Sequence, residues 1–221
     1  MSSAARFTTN GLQFGEIGLF GGAIKLHIPE DFIDASQFRQ VPDNQEVFVA
    51  SDTSAVNDNS IIIELVEKLD IDDVNVSPEN ADKTAVRSHY EEIASINSSI
   101  SSPKILQEEV LHVPKLPYAI DSSATAYMIT GVQIAEKWGR NSTSDMTYLI
   151  LTLAVIRLPE NKTDMLLSFN SAVHCEESMI RSFTEDANID SSVLLRIERL
   201  QNTCKHVVQT LEVVDFGLFA D

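Results

Sequence analysis

The chain has 221 residues, 43% of them hydrophobic, and a formal net charge of −17 at pH 7. That length suits one domain around one sizeable core. The acid argues against nucleic acid, whose phosphates would repel it, and against anionic membrane surfaces; it either favours a basic partner drawn in by the protein's field or only maintains solubility.

Residues 1–15 have no apolar core of the kind a secretory signal needs and read as a flexible tail, leaving 16–221 as a single domain. EIGLFGGAIKLHI (16–28) reads as two strands around Gly21-Gly22, because paired glycines accept the positive φ of a tight turn. Pro29 ends the second strand. QEVFVAS (45–51) alternates and is rich in Val and Phe, hence a strand, and 51–60 is a polar loop. SIIIELVEKLD (60–70) is ambiguous between strand and helix, with three β-branched isoleucines favouring strand. Ser77 as N-cap, Pro78 at the first helical position and acids in the first turn start a helix, whose apolar face is Ala81, Ala85, Val86, Tyr90, Ile93 and Ala94.

A Ser-rich linker (97–103) precedes a strand at 104–113 and a loop, PKLPYAIDSS. Long strands follow at 125–139 and 146–158; the second is apolar on both faces, as a central strand covered on both sides would be. PENKT turns the chain into a hairpin partner, DMLLSFNSAV, and 175–190 is an acidic connection without a definite element. A long helix begins at Asp190 or Ser191, with Val193, Leu194, Ile197, Leu200, Cys204, Val207, Val208 and Leu211 at helical spacing. The apolar C-terminus, EVVDFGLFAD, reads as docked. Strands joined by turns, with few helical crossovers, predict an α+β fold: an antiparallel sheet with helices laid over it.

The chemistry of catalysis is sparse. No phosphate-binding glycine loop, dinucleotide fingerprint, zinc-protease helix or nucleophile elbow occurs. Two cysteines, Cys175 and Cys204, make neither a disulfide framework nor a metal knuckle and suit a reducing compartment. His174 beside Cys175 is a poor catalytic pair, since adjacent side chains point apart. His206 lies off the Cys204 face of its helix, so no metal site is expected there. No apolar run approaches the roughly 18 residues of a membrane span.

What remains is polar residues in unusual settings. IPEDFIDASQFRQVPDNQEVF (28–48) gathers Asp34, Arg39, Gln40, Asp43, Asn44, Gln45 and Glu46 around Pro42, while Phe32 and Phe48 read as core. Asp34 has the chemistry of a turn cap and Pro42-Asp43 that of a tight turn. Glu64 and Glu67 interrupt an apolar run; on a strand they face opposite ways unless a bulge intervenes, and on a helix turn they share a face.

GLFGGAI, IPEDFIDASQFRQVPDNQEVF, SIIIELVE, KWGR, LAVIRL and VVDFGLFA, in that order from about residue 17 to 220, resemble the Ran guanine nucleotide release factor (Mog) family. Residues 72–120 match poorly, and no role is carried over there. The resemblance implies a PsbP-like fold, a single domain whose antiparallel sheet is flanked by helices on both faces. It implies a non-enzymatic protein that binds the small GTPase Ran, promotes guanine nucleotide release and supports nuclear import, found in nucleus and cytoplasm. It also implies Ran-contacting roles for Glu64, often Asp in relatives, and Glu67, and more weakly for Asp34, Arg39, Gln40, Asp43, Gln45 and Glu46. No cofactor or metal is expected, and the protein is expected to be monomeric apart from Ran. An adaptor of the same fold with another partner, and a small hydrolase using scattered Asp and His, are the competing readings.

Overall fold

A computed structural model of the chain describes residues 7–9, 11–51, 58–71, 77–96, 102–113, 124–136, 146–174, 179, 183 and 189–219. Trp138, Cys175 and most of the linkers at 52–57, 97–101 and 114–123 lie outside the described residues. In chain order the strands are β1 (Phe7–Thr9), β2 (Leu12–Leu19), β3 (Ile24–Pro29), β4 (Phe32–Asp34), β5 (Gln45–Ala50) and β6 (Asp58–Glu67). After helix α1 (Pro78–Ile96) come β7 (Lys104–Leu111), β8 (Thr125–Glu136), β9 (Met146–Leu158) and β10 (Thr163–His174). The long helix, here α2 (Ser191–Thr210), and the short β11 (Glu212–Val213) close the order.

Every described pairing is antiparallel. The strands form two sheets, the main one in the order β4-β5-β6-β10-β9-β8-β7 and a smaller one in the order β1-β2-β3-β11. The N-terminal hairpin therefore packs over a face of the main sheet instead of extending it. The stretch expected as a tail includes strand: β1 pairs with the start of β2, Phe7 opposite Phe14 and Thr9 opposite Leu12.

The turn at Gly21-Gly22 forms as the glycines require, with φ of +68° and +94°. Phe20 beside them also adopts a positive φ, 49°, a conformation that costs a non-glycine residue free energy and has to be held by its surroundings.

Alternation sorts the main sheet into two faces. On one, Met128, Ala154, Ile156, Leu167 and Ile63 pack against the smaller sheet and against Cys204, Val207 and Val208 of α2. Val193 and Ile197 extend that contact over Ile134, Tyr148 and Ile150. On the other face, Val86, Tyr90 and Ala94 of α1 cover Tyr127, Ile129, Leu153, Val155 and Leu166. β9 thus contributes core to both faces, as its unbroken apolar run predicts. Gly131 allows α1 close to the sheet, since a Cβ there would meet the Tyr90 hydroxyl at 2.2 Å. Leu194, expected on the buried stripe of α2, is 49% exposed.

Candidate interaction site at one end of the main sheet

The ambiguous segment 60–70 is a strand through Glu67, because its isoleucines meet partners on both sides. Pairing with β10 runs without a register break from Asp58 opposite Ala172 to Glu67 opposite Thr163. With no bulge, Glu64 and Glu67 face opposite ways. Glu64 lies on the α1 face, in a cleft lined also by Gln45, Ile62, Ile93 and Ile96. Glu67 opens on the other side, in a cleft with Glu160, Lys162, Leu218 and Phe219. Glu64 is half-buried and Glu67 exposed.

The antiparallel ladder brings the start of β5 to the end of β6, with Gln45 opposite Glu64. The loop before β5 turns at Pro42, where the Gln45 N–H donates to the Pro42 carbonyl at 2.9 Å. That turn leaves Asn44 and Gln45 aimed at β6. Gln45 Nε2 donates to Glu64 Oε1 at 2.8 Å. Asn44 Nδ2 lies 3.4 Å from the same oxygen and donates to the Leu65 carbonyl at 3.1 Å. The Leu65 N–H in turn donates to the Asn44 carbonyl at 3.0 Å.

Arg39, Gln40 and Asp43 are exposed on this loop, as is Phe38, at 70%. Besides Gln45 and Glu64, which bond to each other, two residues of the set have partners inside the fold. Asp34 caps the short 3-10 turn at 35–37, accepting from Ser36 N–H at 2.8 Å. Glu46 points to the opposite face from Gln45, and its Oε1 accepts from the Phe20 N–H at 2.6 Å, clamping the strained hairpin turn. Phe48 is buried, and Phe32 packs against the core.

Beyond Glu67 the backbone is fixed by a buried polar network that the sequence reading missed. Arg157, 3% exposed, and Asp164, 0% exposed, form an ion pair at 3.0 Å (Nε to Oδ1). Asp164 Oδ2 accepts from the Leu69 N–H at 3.0 Å and lies 2.9 Å from His89 Nε2 on α1. The Arg157 guanidinium also donates to the Leu69 carbonyl and to Asp82 Oδ1, the latter at 2.6 Å. Both backbone groups of Leu69, two residues after Glu67, are therefore held. Burial by itself would raise the Asp164 carboxyl; the hydrogen bonds from His89 and Leu69 and the Arg157 charge outweigh it and hold the group below the usual carboxylate range. An Arg inside the apolar run LAVIRL was the one legible signal, since a charge in a central strand needs a partner.

The groups with displaced titration do not line either cleft. The Tyr90 phenol and the Cys204 thiol are pushed up by burial, His206 is lowered by burial and by His27, and Asp164 is enclosed in its network. Among the described residues, no three His, Cys, Asp or Glu side chains are placed to hold a metal ion, and no described helix is long and apolar enough to cross a membrane. The end of the sheet thus presents carboxylates on both faces beside an exposed loop, an arrangement suited to contact with another protein.

Residues 17–172 match the model of a family described as the Ran-interacting Mog1 protein. Curated relatives include the Ran guanine nucleotide release factor of Danio rerio, 30% identical over 91% of this chain and 97% of the relative. The nuclear import protein MOG1 of Saccharomyces cerevisiae is 30% identical over 93% of this chain and 84% of its own. The crystal structure of the S. cerevisiae Ran-binding protein MOG1p superposes with a TM-score of 0.66 at 27% identity, covering 95% of this chain and all of that one. The chain belongs to the Ran-interacting Mog1 protein family, whose members are regulators and not enzymes. The hydrolase reading is set aside.

Proposed function

We propose that this chain binds Ran through the end of the main sheet and promotes release of its guanine nucleotide, in support of nuclear protein import. The observation that carries the site is the placement of Glu64 and Glu67 at the end of one strand, one on each face, with the Arg39–Gln45 loop beside them. The contact surface wraps the strand end. One side of Ran meets Glu64 and the loop, and another part reaches Glu67 and the β9–β10 turn.

Nucleotide release follows by linkage. If this factor and the nucleotide favour different arrangements of Ran's phosphate-binding region, each weakens the other. Carboxylates suit that task, because they compete with phosphate for cationic side chains and for the coordination of Mg²⁺. Speeding release about 10³-fold requires lowering the barrier by roughly 4 kcal/mol. A few oriented contacts supply that, whereas the diffuse charge of −17 is screened within about 8 Å at physiological salt. Asp34 and Glu46, committed to internal hydrogen bonds, act here as structural residues, and Arg39, Gln40 and Asp43 remain as contacts. The protein acts as a monomer toward Ran and is found in nucleus and cytoplasm.

The test is release of a fluorescent guanine nucleotide from purified Ran, with and without the chain, in parallel with direct binding. Accelerated release together with binding supports the proposal. Binding without acceleration means an adaptor, and no binding removes Ran as the partner. Imaging a tagged chain in cells tests the localisation.

A further inference from the structure

We infer that Gln45 and Asn44 are positioning residues that present Glu64 to the partner and do not themselves contact it; this rests on the reading of Glu64 as a partner-binding residue. Both amide nitrogens converge on a single carboxylate oxygen, Oε1, at 2.8 and 3.4 Å. The shorter contact is a full hydrogen bond to an anion, and the longer one adds orientation. Among the described residues both hydrogen bonds to the Glu64 carboxylate fall on Oε1, which leaves Oε2 for an incoming cation.

The braces are themselves held. Gln45 is fixed by its ladder position opposite Glu64 and by its N–H bond to Pro42. Asn44 is tied to β6 in both directions, donating to the Leu65 carbonyl and accepting from the Leu65 N–H. A free glutamate side chain samples several rotamers and loses that freedom on binding. Here the cost is met during folding, so the carboxylate meets its partner already oriented. The turn chemistry of Pro42-Asp43-Asn44 has a function in this arrangement: it delivers two amides to one face of the neighbouring strand.

A double-mutant cycle with Ran separates positioning from contact. Gln45→Met keeps the bulk and removes the donor, and should weaken Ran binding about 3–10-fold, the cost of fixing one freed side chain. In a Glu64→Ala background the same change should be silent, within about 1.5-fold, because its effect runs through a carboxylate that is no longer there. The NMR signal of the Gln45 side-chain amide supplies a readout independent of Ran. It should move toward the position of an exposed glutamine in Glu64→Ala, and circular dichroism confirms that each variant is folded.

Equal losses in both backgrounds would make Gln45 a direct contact and overturn the inference. So would an amide signal unmoved by Glu64→Ala. A silent Gln45→Met beside a damaging Glu64→Ala overturns the positioning role while leaving Glu64 as a contact. A silent Glu64→Ala removes the site itself, and the inference with it.

Discussion

Replacing Asp164 by Ala removes the acceptor for three groups at once: the buried Arg157 guanidinium and His89, and the Leu69 N–H. Among the described residues Arg157 is then left in the core with Asp82 and a backbone carbonyl. Removing one partner of a buried pair costs about 3–5 kcal/mol, since the remaining charge stays desolvated. That is a large part of the roughly 5–15 kcal/mol that holds a domain folded. For a chain of this length it corresponds to a melting point lower by about 6–20 °C. Urea denaturation of Asp164→Ala, Arg157→Met and the double variant measures it. The double variant should be less destabilised than the sum of the singles by about 2–3 kcal/mol, because no orphaned charge remains. A loss under about 1 kcal/mol in Asp164→Ala, or strict additivity, would refute the reasoning. The pH dependence follows with a defined sign. The folded-state value of Asp164 is depressed, so its contribution is complete above the unfolded-state value of about 3.9 and vanishes as pH falls through the lower folded value. Wild type should lose stability below about pH 4 more steeply than Asp164→Ala.

Glu64→Lys and Glu67→Lys should each weaken Ran binding by about tenfold or more, as like charges are brought together, with circular dichroism unchanged; full affinity in both would remove the proposed site. Glu46→Ala should lower stability by about 1.5–3 kcal/mol through loss of the charged acceptor for Phe20, with Ran affinity unaffected in a titration. Gly131→Ala should destabilise by about 1–3 kcal/mol, and Tyr90→Phe should recover part of the loss in thermal melts, because the hydroxyl is the nearest atom to the new methyl. Cys204, fully buried with its thiol pushed up by desolvation, should resist alkylation at neutral pH until the protein unfolds, as mass spectrometry of that residue reports.

The elements that could be read from sequence are those whose signal is local. Alternation in 45–50, the apolar run of β9 and the helical stripe of α2 each state their own structure, and Ser77-Pro78 and Asp190 mark helix starts. Sequence left 60–70 open although its three isoleucines favoured strand; the ladder to β5 and β10 decides, and with it the direction of Glu64 and Glu67. The network behind Glu67 was not legible, since it joins residues 75 and 95 positions apart. The division into two sheets was equally hidden, as it depends on which edge the N-terminal hairpin fails to join. Within the signature loop, composition flagged the polar residues but not their duties: Glu46 turns inward to Phe20, and Gln45, one position away, turns to Glu64.

The interval of three between the two acids of β6 has its own consequence. In a pleated ribbon an odd interval sends side chains to opposite sides, while two or four would stack them on one. On the proposed Ran-binding reading, a flat ligand such as a short peptide or a small aromatic compound laid on the α1 side covers Glu64 and leaves Glu67 open. On that reading, a molecule that contacts both acids has to straddle the rim of the sheet.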